Sequence, residues 1–191
     1  MSILGILLLA AMAIVLVYGM LIYNSLVQVK HNVSKAWANL DVLLKQRHDE
    51  LPKLVEVCKQ YRQFETETLQ KVMEARSRVF GASRSQDMSE LGSAEAQLRG
   101  SVANLFAVAE AYPTLKTNEQ FMNLQARITA LESGIADRRE FYNESVNINN
   151  VRIEQFPDVL VARMFNIPAR ELLEFSSEEK ADVNVKQLFA A

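Results

Sequence analysis

Residues 3–23 read ILGILLLAAMAIVLVYGMLIY, and the rest of the chain is organised around this stretch. It contains no charged residue, and as a helix it would be about 30 Å long, which matches the hydrocarbon core of a bilayer. Tyr18 and Tyr23 come late in the stretch, where aromatic side chains favour the membrane interface. The sequence therefore predicts a single transmembrane anchor over residues 1–23, in contact with the lipid bilayer.

A cleaved signal peptide is the main alternative to a retained anchor. Such a peptide needs a basic segment before its apolar run and a small-residue cleavage site after it. Here no Lys or Arg precedes the run, and the candidate site Ala11-Met12-Ala13 lies in its middle. Lys30 and Lys35 follow the span and favour a cytoplasmic location for the soluble part. A periplasmic or extracellular location stays open.

The residues after the anchor have the composition of a helical domain. The chain has only 6 Gly and 4 Pro, and residues common in helices dominate. The formal net charge is −2 and there is no basic block, which argues against nucleic acid as a partner. Cys58 is the only cysteine and there are only 2 histidines, so we expect no disulfide, no metal site and no cofactor.

Apolar residues recur at spacings of three and four, and this pattern predicts four helices near residues 24–48, 52–80, 89–111 and 118–155. Pro52 separates the first two, although the apolar stripe keeps its phase across it, so a kinked continuous helix is the alternative. We favour a break because pieces of similar length can pack as antiparallel rods. Gly81–Asp87 has the composition of a loop.

The fold predicted from these segments is all-α. The transmembrane helix continues into an antiparallel up-and-down four-helix bundle, followed by a short helix over residues 158–165 and a tail. The corresponding domains are an anchor over 1–23, a helical bundle over 24–165 and a C-terminal tail over 166–191. The fourth helix keeps its 3-4 spacing throughout, which is typical of a bundle or coiled-coil helix.

Several short motifs resemble those of a known family. They are Tyr23-Asn24, Ala36-Trp37, Arg47–Val55, Tyr112–Lys116, Leu131-Glu132, Arg138-Arg139, Tyr142-Asn143 and Phe156-Pro157. Together they are similar to the LemA family of bacterial membrane proteins, from the anchor to about Phe165. The family usually has a second Tyr-Asn pair seven residues after the one that corresponds to Tyr142-Asn143, whereas this chain has Asn149-Asn150 there. The resemblance implies one N-terminal membrane helix, a four-helix bundle and no established activity, and we expect the protein in the bacterial cytoplasmic (inner) membrane.

Polar residues occupy positions where a bundle helix would carry a hydrophobic residue. Because buried charges must be partnered, we hypothesise that Glu65 and Glu132 pair with Arg47 and Arg138. Tyr142, Asn143 and Asn150 lie along the seam of the fourth helix. We interpret these seven residues as a structural network that fixes helix register, and a ligand-binding pocket is the alternative.

Two classes of function follow from this interpretation. The first is a membrane-anchored scaffold or interaction protein in the cell envelope, which associates with copies of itself or with another membrane or envelope protein. The second is a ligand-binding or accessory module that uses the polar residues of the bundle core. A di-iron site of the bundle type needs Glu-x-x-His pairs, which this chain lacks, so we predict a protein that is not an enzyme.

Overall fold

The computed structural model describes residues 3–61 and 64–174, and within these residues there are six α-helices and no β-strand. The helices are α1 (Ile3–Lys59), α2 (Thr66–Ser85), α3 (Met88–Ala109), α4 (Pro113–Lys116), α5 (Glu119–Glu154) and α6 (Asp158–Met164). The all-α class and the long N-terminal apolar helix are confirmed. The up-and-down order of a four-helix bundle stays a prediction, and the predicted tail beyond residue 174 lies outside the described residues.

α1 passes through Pro52 without interruption, so the predicted break near this residue is wrong. Proline has no N–H group, which leaves the carbonyl of His48, four residues earlier, without its helical donor. Arg76 on α2 supplies a replacement, because its Nε donates a 2.8 Å hydrogen bond to the His48 carbonyl oxygen. A side chain from another helix thus satisfies the carbonyl, and α1 continues for about two more turns, to Lys59.

Helix lengths explain why a broken α1 was the wrong expectation. Without its 21-residue apolar stretch, the 57-residue α1 retains 36 residues, and α5 also has 36. α2 and α3 have 20 and 22 residues and pack against each other. The helices that match in length are therefore α1 with α5 and α2 with α3, and an unbroken α1 has a partner of its own length.

The connection between α2 and α3 is shorter than the loop predicted over Gly81–Asp87. α2 continues to Ser85, and Gln86 then adopts the left-handed conformation with φ 54°, so that its N–H closes the last helical turn. The Asp87 side chain accepts a 2.9 Å hydrogen bond from the amide of Glu90 and caps α3. Gly81, Ser83 and Ser85 therefore belong to the C-terminal end of α2 and do not form a loop.

The predicted ends of the last two helices agree closely with the structure. α5 covers residues 119–154 against a prediction of 118–155, and α6 covers 158–164 against 158–165. The side chain of Asn118 accepts a 3.1 Å hydrogen bond from the amide of Phe121 and caps the start of α5. Clear apolar spacing along α5, with Pro157 between α5 and α6 and Pro168 after α6, indicates these bounds in the sequence.

Contacts divide the chain into two compact units, each assembled from segments that are distant in sequence. The described residues of Met1–Leu40 and Asp137–Leu172 form unit 1, and those of Asp41–Ala136 and Leu173–Ala191 form unit 2. α1 and α5 contribute to both units. The domain bounds at 23 and 165 were drawn along the chain, and they stay a prediction.

Each unit has its own apolar core. In unit 2, α1, α2, α3 and α5 bury apolar side chains, among them Leu51, Leu54, Cys58, Leu69, Val72, Leu91, Leu98, Leu105, Phe121, Ile128 and Ile135. Gly92 lets the segment that carries Leu173 approach α3, since an added Cβ would lie 2.7 Å from the Glu174 carbonyl oxygen. In unit 1, Ile22 and Leu26 of α1 pack with Ala162 of α6, and Ile153, Val161 and Ile167 pack around them.

The apolar start of α1 is different from every packed part of the chain. It is the one described stretch that is long and apolar enough to cross a membrane, and the mean hydropathy of its most apolar 18 residues is 2.7. None of these 18 residues is buried against the rest of the protein. A helix that leaves every side chain exposed and apolar is suited to lipid, because water would disfavour such a surface.

Candidate functional site

A cluster of charges lies inside unit 2 and joins three helices. Arg47 of α1 is 1% exposed, and its Nη1 donates a 2.8 Å hydrogen bond to Glu132 Oε1 on α5. Its Nη2 donates to Glu95 on α3, which is equally buried. The Nε of Arg99 lies 3.7 Å from the second oxygen of Glu132. Two cations and two carboxylates therefore balance each other.

The electrostatics of this charged cluster favour a structural role. Burial alone lowers the pKa of Arg47, but the charges of Glu95 and Glu132 outweigh burial and raise it, so the guanidinium stays protonated. A planar guanidinium that binds two carboxylates from different helices holds α1, α3 and α5 in one register. Both Nη atoms of Arg47 therefore donate to carboxylates of the protein and not to a ligand.

Two residues predicted for this cluster lie elsewhere. Glu65 is an exposed residue at the start of α2, where its carboxylate accepts a 3.1 Å hydrogen bond from the Thr68 hydroxyl. α1 ends at Lys59 and α2 begins at Thr66, so the 3-4 spacing of buried positions along α1 does not continue to Glu65. Arg138 is exposed, and its neighbour Arg139 is buried instead. After Ile135 the inner face of α5 advances by four residues and not by three, so Arg139 takes the inner position.

Glu95 is the residue that sequence reasoning missed. It lies between Leu91 and Leu98 at spacings of four and three, on the buried face of α3. An acidic residue in the middle of an apolar stripe is the same signal that identified Arg47 on α1. Applied to α3, this signal would have placed a carboxylate opposite the buried arginine.

A second polar group lies in unit 1 and contacts backbone instead of charge. We call Tyr142, Asn149 and Asn150 of α5 the clamp, and residues 168–171 the strap. Asn150 donates to the Arg170 carbonyl at 2.8 Å and accepts from the Arg170 amide at 2.9 Å. Asn149 donates to the Pro168 carbonyl at 3.4 Å, and the Tyr142 hydroxyl donates to the Glu171 carbonyl at 3.1 Å.

The clamp explains why the seam of α5 is polar. Asn149 and Tyr142 are buried, and each satisfies a backbone carbonyl of a segment that has no helical or sheet partner. Burial raises the pKa of Tyr142, so its hydroxyl remains a donor at neutral pH. The ring of Tyr142 also meets Trp37 of α1 edge-on, with centroids 5.7 Å apart. Asn143, the remaining predicted residue of this seam, is half-buried.

Unit 1 also has a groove and an exposed apolar stripe. The groove has a volume of about 460 Å³ and lies between α1 and α5. Its lining includes Asn32 and Lys35 of α1 together with Arg138 and Phe141 of α5. We call the exposed apolar side chains Phe141, Ile148 and Val151 the outer stripe. They recur at spacings of seven and three along one side of α5, and Phe141 and Ile148 also line the groove.

The two tyrosines predicted for the membrane interface differ in their surroundings. Tyr18 is exposed on the apolar part of α1. Tyr23 contacts the ring of Phe165, with centroids 4.4 Å apart. Phe165 directly follows α6, so the end of the apolar stretch lies beside this short helix.

These features define an all-helical protein with a candidate N-terminal membrane anchor. The chain belongs to the LemA family, whose model matches residues 36–187. This confirms the resemblance that the motifs indicated.

Among curated proteins, the chain is similar to Protein LemA of Metamycoplasma hominis, with 25% identity over 166 residues, 86% of this chain and 74% of that protein. It is also similar to Magnetosome protein MamQ 2 of Paramagnetospirillum magneticum, with 26% identity over 88 residues, 46% of this chain and 32% of that protein. Magnetosome protein MamQ 1 of the same organism matches to the same extent.

Proposed function

We propose that this protein is a membrane-anchored scaffold that associates with further copies of itself in the bacterial cytoplasmic membrane. The observation that carries the proposal is the continuity of α1, which is one helix from Ile3 to Lys59. A helix without a break between its apolar part and its packed part transmits position and orientation, as a flexible linker would not. Every copy then holds the packed part of unit 1 in the same way relative to the bilayer.

The outer stripe supports self-association. Phe141, Ile148 and Val151 expose apolar surface at helical spacing, which a partner helix can cover by packing between them. Copies fixed in one membrane present this stripe at the same height, because it belongs to the same unit as the start of α1. Identical surfaces at equal height favour side-by-side contact between copies. Lys30 and Lys35 favour a cytoplasmic location for this assembly.

The test is the mass of the full-length protein in mild detergent, measured by light scattering after size exclusion. We expect a discrete oligomer for the wild type. The double variant Phe141→Glu/Ile148→Glu should shift the mass towards the monomer, because it introduces charge into the stripe. The matched control is Val42→Glu/Met122→Glu, which changes two exposed apolar residues outside unit 1 and should leave the mass unchanged. A monomeric wild type would overturn the proposal, and so would an oligomer that the stripe variant preserves.

A ligand-binding function is the second candidate, and the groove in unit 1 favours it. Lys35 and Arg138 both line this groove, and together with Asn32 they offer cationic and amide donors to an anionic ligand. Glu144 also lines the groove, so the two cations there exceed one acidic side chain. The buried charged cluster of unit 2 supports this candidate less, because Arg47 already binds two carboxylates of the protein. Saturable binding of an anion to a monomeric protein, abolished by Arg138→Met, would favour this candidate over the scaffold.

A further inference from the structure

The short helix α6 packs directly against the point where the apolar stretch of α1 ends. Ile22 and Leu26 of α1 are buried against Ala162 of α6, and Tyr23 contacts Phe165. These contacts fall within about one helical turn of residue 23, the last residue of the stretch. α6 is therefore at the level where α1 leaves the membrane.

Polar contacts fix α6 in this place. Arg152 near the end of α5 donates a 2.6 Å hydrogen bond to Asp158, the first residue of α6. The same guanidinium donates a 3.1 Å hydrogen bond to the Ser25 hydroxyl on α1. Arg152 thus ties α1, α5 and α6 together, and the position of α6 beside residues 22–26 is defined by both apolar and polar contacts.

The surface of α6 that faces away from this core is strongly apolar. Leu160 and Met164 lie one turn apart on α6, and Phe156 and Phe165 flank the helix. Their exposed fractions are 81% for Phe156, 58% for Leu160, 74% for Met164 and 52% for Phe165. Ala162, on the opposite side of α6, is the residue that packs on α1. Exposure of four large apolar side chains to water is unfavourable, so this group is expected to contact another apolar surface.

We propose that this group, which we call the foot, is a second membrane contact that inserts into the interface of the same bilayer that holds α1. The foot consists of Phe156, Leu160, Met164 and Phe165. The proposal rests on the membrane helix but not on self-association. The lipid is the occupant because the foot is continuous with the end of the apolar stretch, through Tyr23 and Phe165. Apolar side chains of an interfacial helix bury themselves at the boundary between headgroups and acyl chains.

The charge near the foot is compatible with this location. Arg163 is exposed on α6 between Leu160 and Met164, where its guanidinium can reach lipid phosphates. Asp158, the acidic residue of α6, is bound to Arg152, and the exposed Glu154 at the end of α5 lines the same groove as Arg163. A protein that contacts the membrane at two points, through α1 and through the foot, has a fixed rotation about the axis of α1. A single spanning helix would leave this rotation free.

The test uses the full-length protein with Cys58→Ala and one new cysteine at Leu160 or Met164. The cysteine carries a fluorophore that is sensitive to polarity, and the protein is reconstituted in vesicles of phosphatidylcholine and phosphatidylglycerol. A fraction of the lipid carries a nitroxide high on its acyl chain, which quenches only fluorophores at shallow depth. We expect emission at shorter wavelength and loss of about half or more of the fluorescence, as for a group buried about 5–10 Å in the interface.

Two further positions serve as references. Glu140→Cys lies on an exposed part of α5 in the same unit, about 20 Å along the helix from Ile153, which packs against the core formed by Ile22, Leu26 and Ala162. We expect no quenching at this position. Leu21→Cys lies on the apolar stretch near its end, and we expect quenching there. Leu160, Glu140 and Leu21 are all exposed in the structure, so labelling does not disturb the core.

The outcomes are distinct. Fluorescence at residue 160 or 164 that is no more quenched than at residue 140 contradicts insertion of the foot into the membrane interface. A shift to shorter wavelength without quenching means that another copy covers these side chains, and it overturns the foot as well while favouring self-association. An unquenched label at residue 21 overturns the membrane helix and the foot together. The mass of the protein in detergent is measured separately, so the scaffold and the foot can fail independently.

Discussion

The charged cluster of unit 2 and the clamp of unit 1 both place polar side chains on the inner face of a helix, but they satisfy them differently. In unit 2, Arg47 binds Glu95 and Glu132, so charge is met by opposite charge from two other helices. In unit 1, Tyr142, Asn149 and Asn150 are neutral and bind backbone carbonyls of the strap. One arrangement joins regular helices, whereas the other holds a segment that has no regular structure.

The difference predicts how the free energy of unfolding responds when a single side chain is removed from the charged cluster or from the clamp. A buried carboxylate without its arginine remains charged or must take up a proton, and both are costly. A backbone carbonyl without its amide donor can turn to water if the strap moves away from the helix. We therefore expect global destabilisation from changes in the charged cluster and local opening from changes in the clamp.

The largest effect should come from Arg47→Met. This variant keeps an apolar side chain of similar length but leaves Glu95 and Glu132 buried without their shared cation. We expect a loss of about 3–5 kcal/mol in the free energy of unfolding, measured by denaturation of the full-length protein in detergent.

The control for this prediction is Arg138→Met, which makes the same exchange at an exposed position and should change stability by less than about 0.5 kcal/mol. The triple variant Arg47→Met/Glu95→Leu/Glu132→Leu should recover most of the loss, because it removes the orphaned carboxylates as well. Equal stability of Arg47→Met and Arg138→Met would contradict a charged cluster that matters for folding.

An intermediate effect is expected at Pro52, where a charged side chain binds backbone and so combines features of both units. Arg76→Met removes the donor to the His48 carbonyl, and we expect a loss of about 1.5–3 kcal/mol in the free energy of unfolding. The change is measured by the same denaturation experiment.

A double-mutant cycle isolates the role of the proline. In Pro52→Ala the backbone N–H of residue 52 is restored and can donate to the His48 carbonyl, so Arg76→Met should cost about 1 kcal/mol less in that background. If Arg76→Met costs the same with proline and with alanine at residue 52, then the guanidinium does not replace the missing helical bond.

This case also shows how far sequence alone can predict the fold. The apolar stretch, the all-α class and the bounds of α5 and α6 follow from local patterns such as 3-4 spacing and proline positions. The passage of α1 through Pro52 does not, because it depends on Arg76, which lies 28 residues later in the chain. Local rules treat proline as a helix end, and only a tertiary contact overrides them.

The polar residues were predictable as a group but not as partners. Arg47 lies on an apolar stripe and Glu132 flanks the seam of the fourth helix, and the structure brings them together. Glu65 and Arg138 carried the same signal, yet one lies at a turn and the other one residue out of phase. The strap was beyond sequence reasoning altogether, because its backbone groups are the same for any residue type and give no pattern to read.

A smaller and more local effect should follow from Asn150→Ala. The variant removes both hydrogen bonds to the backbone of Arg170, so residues 168–171 should open more easily while the rest of the protein keeps its stability. We expect hydrogen–deuterium exchange in this segment to become about 5–30-fold faster, which corresponds to about 1–2 kcal/mol.

Asn147→Ala is the matched control, because Asn147 is an exposed asparagine on the same helix, three residues earlier. Its exchange should equal that of the wild type. If Asn150→Ala lowers the global stability as much as Arg47→Met does, the distinction between a local clamp and a global charged cluster fails.

The smallest effect separates the two units by pH. Burial lowers the pKa of His48, and the charge of Arg76 lowers it further, while Asp49 opposes this shift. The unfolded chain then binds a proton at His48 more readily than the folded chain, whose pKa is below about 6.5. The stabilising contribution of a neutral His48 is therefore complete above about pH 6.5 and is lost as the pH falls through the folded pKa.

We expect the wild type to lose stability relative to His48→Gln between pH 6.5 and 5, with a slope of at most about 1.4 kcal/mol per pH unit. The clamp should not respond in this range, because amides do not titrate and burial keeps the Tyr142 hydroxyl protonated. Protection of the strap, corrected for the intrinsic exchange rate, should thus stay constant while unit 2 weakens. If the protection of the strap falls by the same free energy as the stability of unit 2, both units unfold together. The charged cluster and the clamp would then differ in their chemistry but not in their effect on stability.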